Sequence, residues 1–246
     1  MNEKIKEIKK RCIKLILLGD KEVGKTSIVN SYLGLEYCEK PLPTLGIDNF
    51  MKKYNYIGSS NQRTFTVKIY DSSGDPRFRS IALTSLRICD GIILVYSNDN
   101  KESYENIENI WIKTIEEYID INQKKLILIS NKNDSLVENN IISDKEGEEL
   151  AKKYNIPFFS CSAKMNVNIE EAFNEILKNV SEYCLENEGI KIVQNISLEK
   201  KRKKGNYIKQ GCFPSPIIAF ANMGQAFADA YAEDLEKKKQ KKCQIQ

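Results

Sequence analysis

The sequence predicts an α/β domain with a mostly parallel, six-stranded sheet and helices on both faces. Three observations predict it. Short runs rich in Ile, Leu and Val recur without strict polar alternation, as in strands buried on both faces. Stretches with apolar residues three and four apart lie between them, so strand and helix alternate as in a sheet with crossover helices. A glycine-bearing loop joins the first apolar run to the first helical stretch, the connection such sheets use to hold a ligand at strand ends.

In chain order, "IKLILL" (13–18) reads as the first strand and 24–34 as the first helix. Segments 47–57 and 64–70, separated by "GSSNQRT", read as a hairpin, so one strand runs antiparallel. "GIILVY" (91–96), "KLILIS" (125–130) and "IPFFSC" (156–161) supply the remaining strands, with helical patterns over 103–119, 143–154 and 168–186. In the last, Ile169, Ala172, Phe173, Ile176, Leu177, Val180 and Tyr183 mark one buried face. After about residue 187 the alternation stops, and 198–216 mixes charge, Gly and Pro as a linker does. Three parts follow: an extension over 1–11, a folded domain over 12–187 and a tail over 188–246.

Composition narrows the chemistry. The formal charge is +4, but residues 199–246 hold 11 Lys/Arg against 5 Asp/Glu, so the body is mildly acidic and the tail basic. That argues against nucleic acid as the body's partner and puts any anionic surface at the C-terminus. The chain has no histidine, which excludes imidazole bases and ligands. Its 7 cysteines are scattered without paired spacing, as expected in a reducing compartment. The apolar run after the basic N-terminal stretch is too short for a signal peptide or a membrane span.

"GDKEVGKTS" (19–27) fits G-x-x-x-x-G-K-[ST], between a strand and a helix as that pattern requires. Gly19, Glu22, Val23, Gly24, Lys25, Thr26 and Ser27 form the cradle: backbone N–H groups face phosphate, Lys25 reaches the β/γ-phosphates and Thr26 faces Mg²⁺. In "YDSSGDPRFRS", Asp71 ends a buried strand where a carboxylate reaches such a metal, and Gly74 allows backbone approach to a γ-phosphate. "SNKND" places Asn131, Lys132 and Asp134, and "CSAK" places Ser162, Ala163 and Lys164, after later strands. A loop carboxylate such as Asp134 accepts from the ring N–H and exocyclic amine of guanine, a donor pair adenine lacks.

With these motifs in this order, residues 12–186 resemble the Ras-like small GTPases, and most closely the Rab branch. The resemblance implies the P-loop NTPase fold, GTP/GDP and Mg²⁺ as ligands, slow GTP hydrolysis, and an exchange factor, an activating protein and effectors as partners. It implies that Tyr37 packs on the guanine and that Thr44 closes on Mg²⁺ beside Thr26 and Asp71. Asn131, Lys132 and Asp134 would recognise the base, with Ala163 offering its N–H to the base oxygen and Lys164 packing nearby. "TLGID" after Thr44 and "RFRSI" in the second switch are Rab-like, whereas Asn49 and Tyr70 stand where Rabs carry an aromatic and usually Trp.

Three residues depart from the hydrolytic pattern. Lys25, Gly74 and Asp75 would carry the chemistry, but Asp75 stands where the family has the glutamine that orients water. It is shorter and charged, and Pro76 after it disfavours a helical conformation. Lys21 either obstructs the water and a partner's arginine or itself reaches the phosphates. Glu22 either weakens nucleotide binding from a position that favours glycine geometry, or points to solvent or to Lys21. The expectation is a switch with impaired hydrolysis biased to its GTP state; the alternatives are a GTP-binding scaffold without useful turnover and, more distantly, a P-loop ATPase or kinase.

The ending "KKKQKKCQIQ" reads as a prenylation site on Cys243. One lipid binds membranes marginally, so Lys237–Lys242 would add attraction to an anionic cytoplasmic leaflet. Phe220, Met223, Phe227, Tyr231 and Leu235 share helical spacing, consistent with a membrane surface, a partner or a loose linker.

Overall fold

The computed structural model describes residues 12–58, 62–134 and 142–202. β1 (Cys12–Leu18) shows why its sequence lacks alternation. Ile13, Leu15 and Leu17 enter one core cluster, Ile16 and Leu18 the other, and all five are buried. After α1 (Lys25–Tyr32), β2 (Ile47–Ile57) and β3 (Gln62–Ser72) pair antiparallel from Ile47 opposite Ser72 to Ile57 opposite Gln62. β4 (Gly91–Ser97), β5 (Lys125–Asn131) and β6 (Phe158–Ser160) complete a six-stranded sheet in the order β2-β3-β1-β4-β5-β6, parallel apart from β2.

Helices cover both faces, as expected. On one face lie α1, through Ile28, Val29 and Tyr32, and α6 (Ile169–Arg202), through Phe173, Ile176 and Leu177. Tyr32 and Phe173 stack with centroids 3.8 Å apart, joining the two helices. On the other face lie α2 (Arg79–Leu86), α3 (Lys101–Asn106), a π-helical segment (Ile107–Ile112), α4 (Lys113–Tyr118) and α5 (Asp144–Lys153). Leu83, Leu86, Trp111, Ile115 and Leu150 form its core. α5 opens on a reciprocal cap between Ser143 and Glu146 that satisfies its first N–H groups.

Four features differ from the sequence expectation. Tyr183 is 37% exposed and Cys184 takes its place on the buried face, because a 3.6-residue period carries the stripe from Val180 to the fourth residue on. α6 does not stop near 187 but runs to Arg202, since no proline lies between Pro157 and Pro214 to end it. α2 was not foreseen. The helical stretch over 103–119 carries a π turn at its centre, a feature common at functional sites. The first compact unit ends at Val193; of the second, only Gln194–Arg202 lies among the described residues, as helix. Among the described residues no helix is long and apolar enough to cross a membrane.

Candidate functional site

Most predicted site residues gather at the C-terminal ends of β1, β3, β5 and β6, where parallel sheets bind ligands, and Tyr37 and Thr44 come from the segment between α1 and β2. After β1 the chain turns through Gly24, whose φ of 91° is left-handed and whose Cβ would stand 2.2 Å from Asn131 Nδ2. Glycine is required there on both counts. Gly24 is also the N-cap of α1 and supplies no side-chain cap, so the first N–H groups of the helix face the loop. Lys25 is buried, and its Nζ donates to the carbonyls of Gly19 at 2.8 Å and Asp20 at 2.6 Å. Burial holds its pKa down to about 8, against the attraction of Asp71 and Asp20.

Asp71 lies at the end of β3, fully buried. Its Oδ2 accepts from Thr26 Oγ1 at 2.6 Å and from Thr44 Oγ1 at 3.5 Å, and the two hydroxyls lie 3.0 Å apart. Its Oδ1 is buried without a hydrogen-bond partner. Burial raises the Asp71 pKa, with Thr26 and Lys25 opposing. One carboxylate, two hydroxyls and an orphaned carboxylate oxygen suit a hard cation that takes oxygen ligands and completes its shell from phosphate and water. Among the described residues no cluster of His, Cys, Asp and Glu forms an all-protein metal cage.

At the other end, Gly24, Ser27, Tyr37, Asn131, Lys132, Asp134, Ala163 and Lys164 line a cavity of about 350 Å³. Asn131 is its keystone. Its Nδ2 donates to the Val23 carbonyl at 2.9 Å, and its Oδ1 accepts from the Ala163 N–H at 3.1 Å, so one amide ties three loops. The Ala163 N–H expected to face the base is therefore held by Asn131 in this structure. Asp134 accepts from the Ser162 hydroxyl, which itself accepts from the Met165 N–H at 3.0 Å. Lys132 adopts a φ of 65° and approaches Asp99 at 3.4 Å. Tyr37 is half-exposed on the facing wall.

Lys21, Glu22, Lys25, Thr26, Thr44, Gly74, Asp75 and Arg77 share a larger cavity of about 700 Å³. Gly74 runs close to the loop after β1: a Cβ there would meet the Asp20 carbonyl carbon and the Lys21 nitrogen, each at 2.2 Å. The Asp75 carboxylate, expected to place a charge near the terminal phosphate, is engaged within its own turn. It caps the 3₁₀ turn Pro76–Phe78 by accepting from the Arg77 N–H at 2.9 Å, and it meets the Arg77 guanidinium at 2.6 Å. The hydrogen bonds from Arg77 hold its pKa down to about 2. Its own backbone is extended, as Pro76 dictates. Glu22 has the left-handed φ of 65° that favours glycine, and both it and Lys21 are exposed at the cavity mouth.

Sequence reasoning missed three contributors. The Asp20 carboxylate accepts from Trp111 Nε1 and Asn106 Nδ2, both at 2.7 Å, which fastens the loop after β1 to the π-helical segment. Arg77 was read only as part of the Rab-like "RFRSI" stretch, without a role of its own. The Ser72 hydroxyl donates to the Leu17 carbonyl and locks the end of β3 to β1. Asn49 and Tyr70, the two departures from the Rab pattern, stand directly opposite each other in the β2–β3 ladder. Cys243, Lys237–Lys242 and the apolar stripe over 217–235 lie outside the described residues.

Known proteins resemble this chain over most of its length. A family model described as the Ras family matches residues 14–182. Ras-related protein RABC2a of Arabidopsis thaliana is 33% identical over 200 residues, 81% of this chain and 92% of its own length. Ypt/Rab-type GTPase YPT7 of Saccharomyces cerevisiae is 33% identical over 175 residues, 70% of this chain and 82% of its own. GTP-binding protein yptV2 of Volvox carteri is 35% identical over 168 residues, 68% of this chain and 75% of its own.

Proposed function

The chain belongs to the Ras family and is similar to its Rab-type members, and on that premise we propose that it is a Mg²⁺-dependent guanine-nucleotide switch with slow GTP hydrolysis. The observation that carries the reading is the convergence of Thr26, Thr44 and the partnerless Oδ1 of Asp71 beside buried Lys25. These three residues would hold the cation, which when bound supplies positive charge to the β- and γ-phosphate oxygens. Lys25 exchanges its bonds to the Gly19 and Asp20 carbonyls for phosphate oxygens, and phosphate restores its full charge. Asp134 accepts from guanine, Tyr37 and Lys164 flank it, and Lys132 lines the wall beneath. Thr44 reaches the cation from a separate loop, so its closure would report the bound nucleotide to effectors.

Asp75 orients water poorly because both its oxygens accept from Arg77. Hydrolysis then rests on phosphate positioning by Lys25 and on the close backbone approach at Gly74, and an activating protein would supply what is missing. The same fork favours a second reading, a GTP-binding scaffold whose turnover is negligible. Prenylation at Cys243 and the polybasic stretch would hold the protein on the cytoplasmic face of a membrane, with an exchange factor resetting it.

Single-turnover hydrolysis of bound GTP with Mg²⁺, with Asp75→Gln alongside, tests this. Slow turnover in the wild type that rises about tenfold or more in the variant is expected, since a neutral glutamine can orient water. Equal, fast rates in both would overturn impaired hydrolysis; no detectable turnover in either would favour the scaffold.

A further inference from the structure

The ion pair between Asp75 and Arg77 has a role that the switch reading, on which this inference rests, does not assign. Asp75 lines the phosphate-side cavity together with Lys21, Lys25 and Gly74. A carboxylate in that wall is compatible with a diphosphate but repels the additional charge of a triphosphate. Arg77 meets it in three ways. Its backbone N–H reaches Oδ1 at 2.9 Å, its Nε lies 3.0 and 3.1 Å from the two oxygens, and its Nη2 reaches Oδ2 at 2.6 Å. The backbone bond anchors the carboxylate to the turn, and the guanidinium then matches both oxygens at once, the fork geometry that a lysine cannot reproduce. Lys21 adds attraction without contact.

We propose that Arg77 is a positioning residue for nucleotide preference: by clamping and cancelling Asp75, it lets the cavity accept a terminal phosphate that a bare carboxylate would repel. The clamp joins residues two apart in one turn, so it travels with the second switch and needs no partner protein. Arg77 acts through Asp75; its effect disappears when Asp75 carries no charge.

Equilibrium affinities for GDP and for a non-hydrolysable GTP analogue, measured with Mg²⁺ on the full chain, test this in the wild type, Arg77→Ala, Asp75→Asn and the double variant. Arg77→Ala is expected to weaken the analogue about tenfold while GDP changes less than twofold, and the loss should shrink at high salt. The double variant should return to wild-type preference. An equal loss for both nucleotides would overturn the proposal, because Arg77 would then only stabilise the fold. So would a selective loss that persists in the double variant, because Arg77 would then meet the phosphate directly, and so would no change. Because GDP binding is the internal control, intact GDP binding with unchanged preference overturns this inference alone. Failure of the wild type to bind either nucleotide overturns the switch reading and this inference with it.

Discussion

The two ends of the nucleotide cavity are held together by different kinds of contact. At the base end, hydrogen bonds join residues far apart in sequence: Asn131 to Val23, Ala163 to Asn131 and Ser162 to Asp134. At the terminal-phosphate end, Asp75 is bound by its second neighbour Arg77, while Thr26, Thr44 and Asp71, and the Ser73 N–H on the Gly46 carbonyl, make the bonds between distant segments. Bonds between distant segments fix those segments relative to the sheet, whereas a bond within one turn fixes only the turn. The base end is therefore cross-linked between loops, whereas the Asp75–Arg77 pair does not tie its own turn to them. A switch needs that asymmetry: a constant grip on what all its ligands share, and a loose contact with what distinguishes them.

The strongest way to break this comparison is Asn131→Ala. The substitution removes both bonds of a buried amide and leaves the Val23 carbonyl and the Ala163 N–H unpaired. A stability loss of about 3 kcal/mol is expected, with affinity for GDP and GTP falling together by about a hundredfold. Thermal unfolding and dissociation rates for each nucleotide check it. A loss confined to GTP would mean that the base end also moves with the switch, and the contrast would fail.

Lys25 belongs to the phosphate end, and pH sharpens its part. Its pKa of about 8 lies below that of a free lysine because burial disfavours the charge, and polyphosphate favours the charge again. Binding therefore takes up a proton above pH 8 and none well below it. Affinity for both nucleotides should be flat from pH 6.5 to 7.5 and fall by up to about tenfold per pH unit above 8. A titration by dissociation constant across this range checks it, and a flat profile to pH 9.5 would show that Lys25 stays charged without phosphate.

Much of the fold and site was legible because chemistry fixes residue type and spacing together. The G-x-x-x-x-G-K-[ST] loop and Asp71 are such cases, Thr44 came from the family resemblance alone, and the structure brings Thr26, Thr44 and Asp71 within hydrogen-bond reach. The central strands β1, β4 and β5 were legible for the same kind of reason, since burial on both faces leaves an unbroken apolar run. What escaped depends on where a side chain ends up. Asp20 meets Trp111, which lies in the π-helical segment, across 91 residues, and no spacing in the sequence announces that. The clamp on Asp75 escaped because an Arg two residues on is silent until the turn's backbone is known. Tyr183 was misread by one position of helical drift.

The smallest expected effect tests whether the two ends are linked. Trp111 donates Nε1–H to Asp20, whose carbonyl in turn accepts from Lys25, while Arg79 at the start of α2 stands 5.4 Å from the indole ring centroid. The indole thus lies between the fixed loop and the helix that follows the second switch. Trp111→Phe keeps an aromatic ring beneath Arg79, removes the bond to Asp20 and leaves part of the buried indole's space unfilled, with Asn106 as the carboxylate's remaining donor in this pair. A stability loss of about 2.5 kcal/mol is expected, from one hydrogen bond to a charged acceptor and a small cavity together. Because Asp20 sits on the fixed side, GDP and GTP should dissociate faster by the same factor, about threefold, as a loop slightly released from its anchor would allow. If GTP alone is released faster, motion of α2 reaches the loop through the indole, and the cavity is one connected device rather than a rigid half joined to a mobile one.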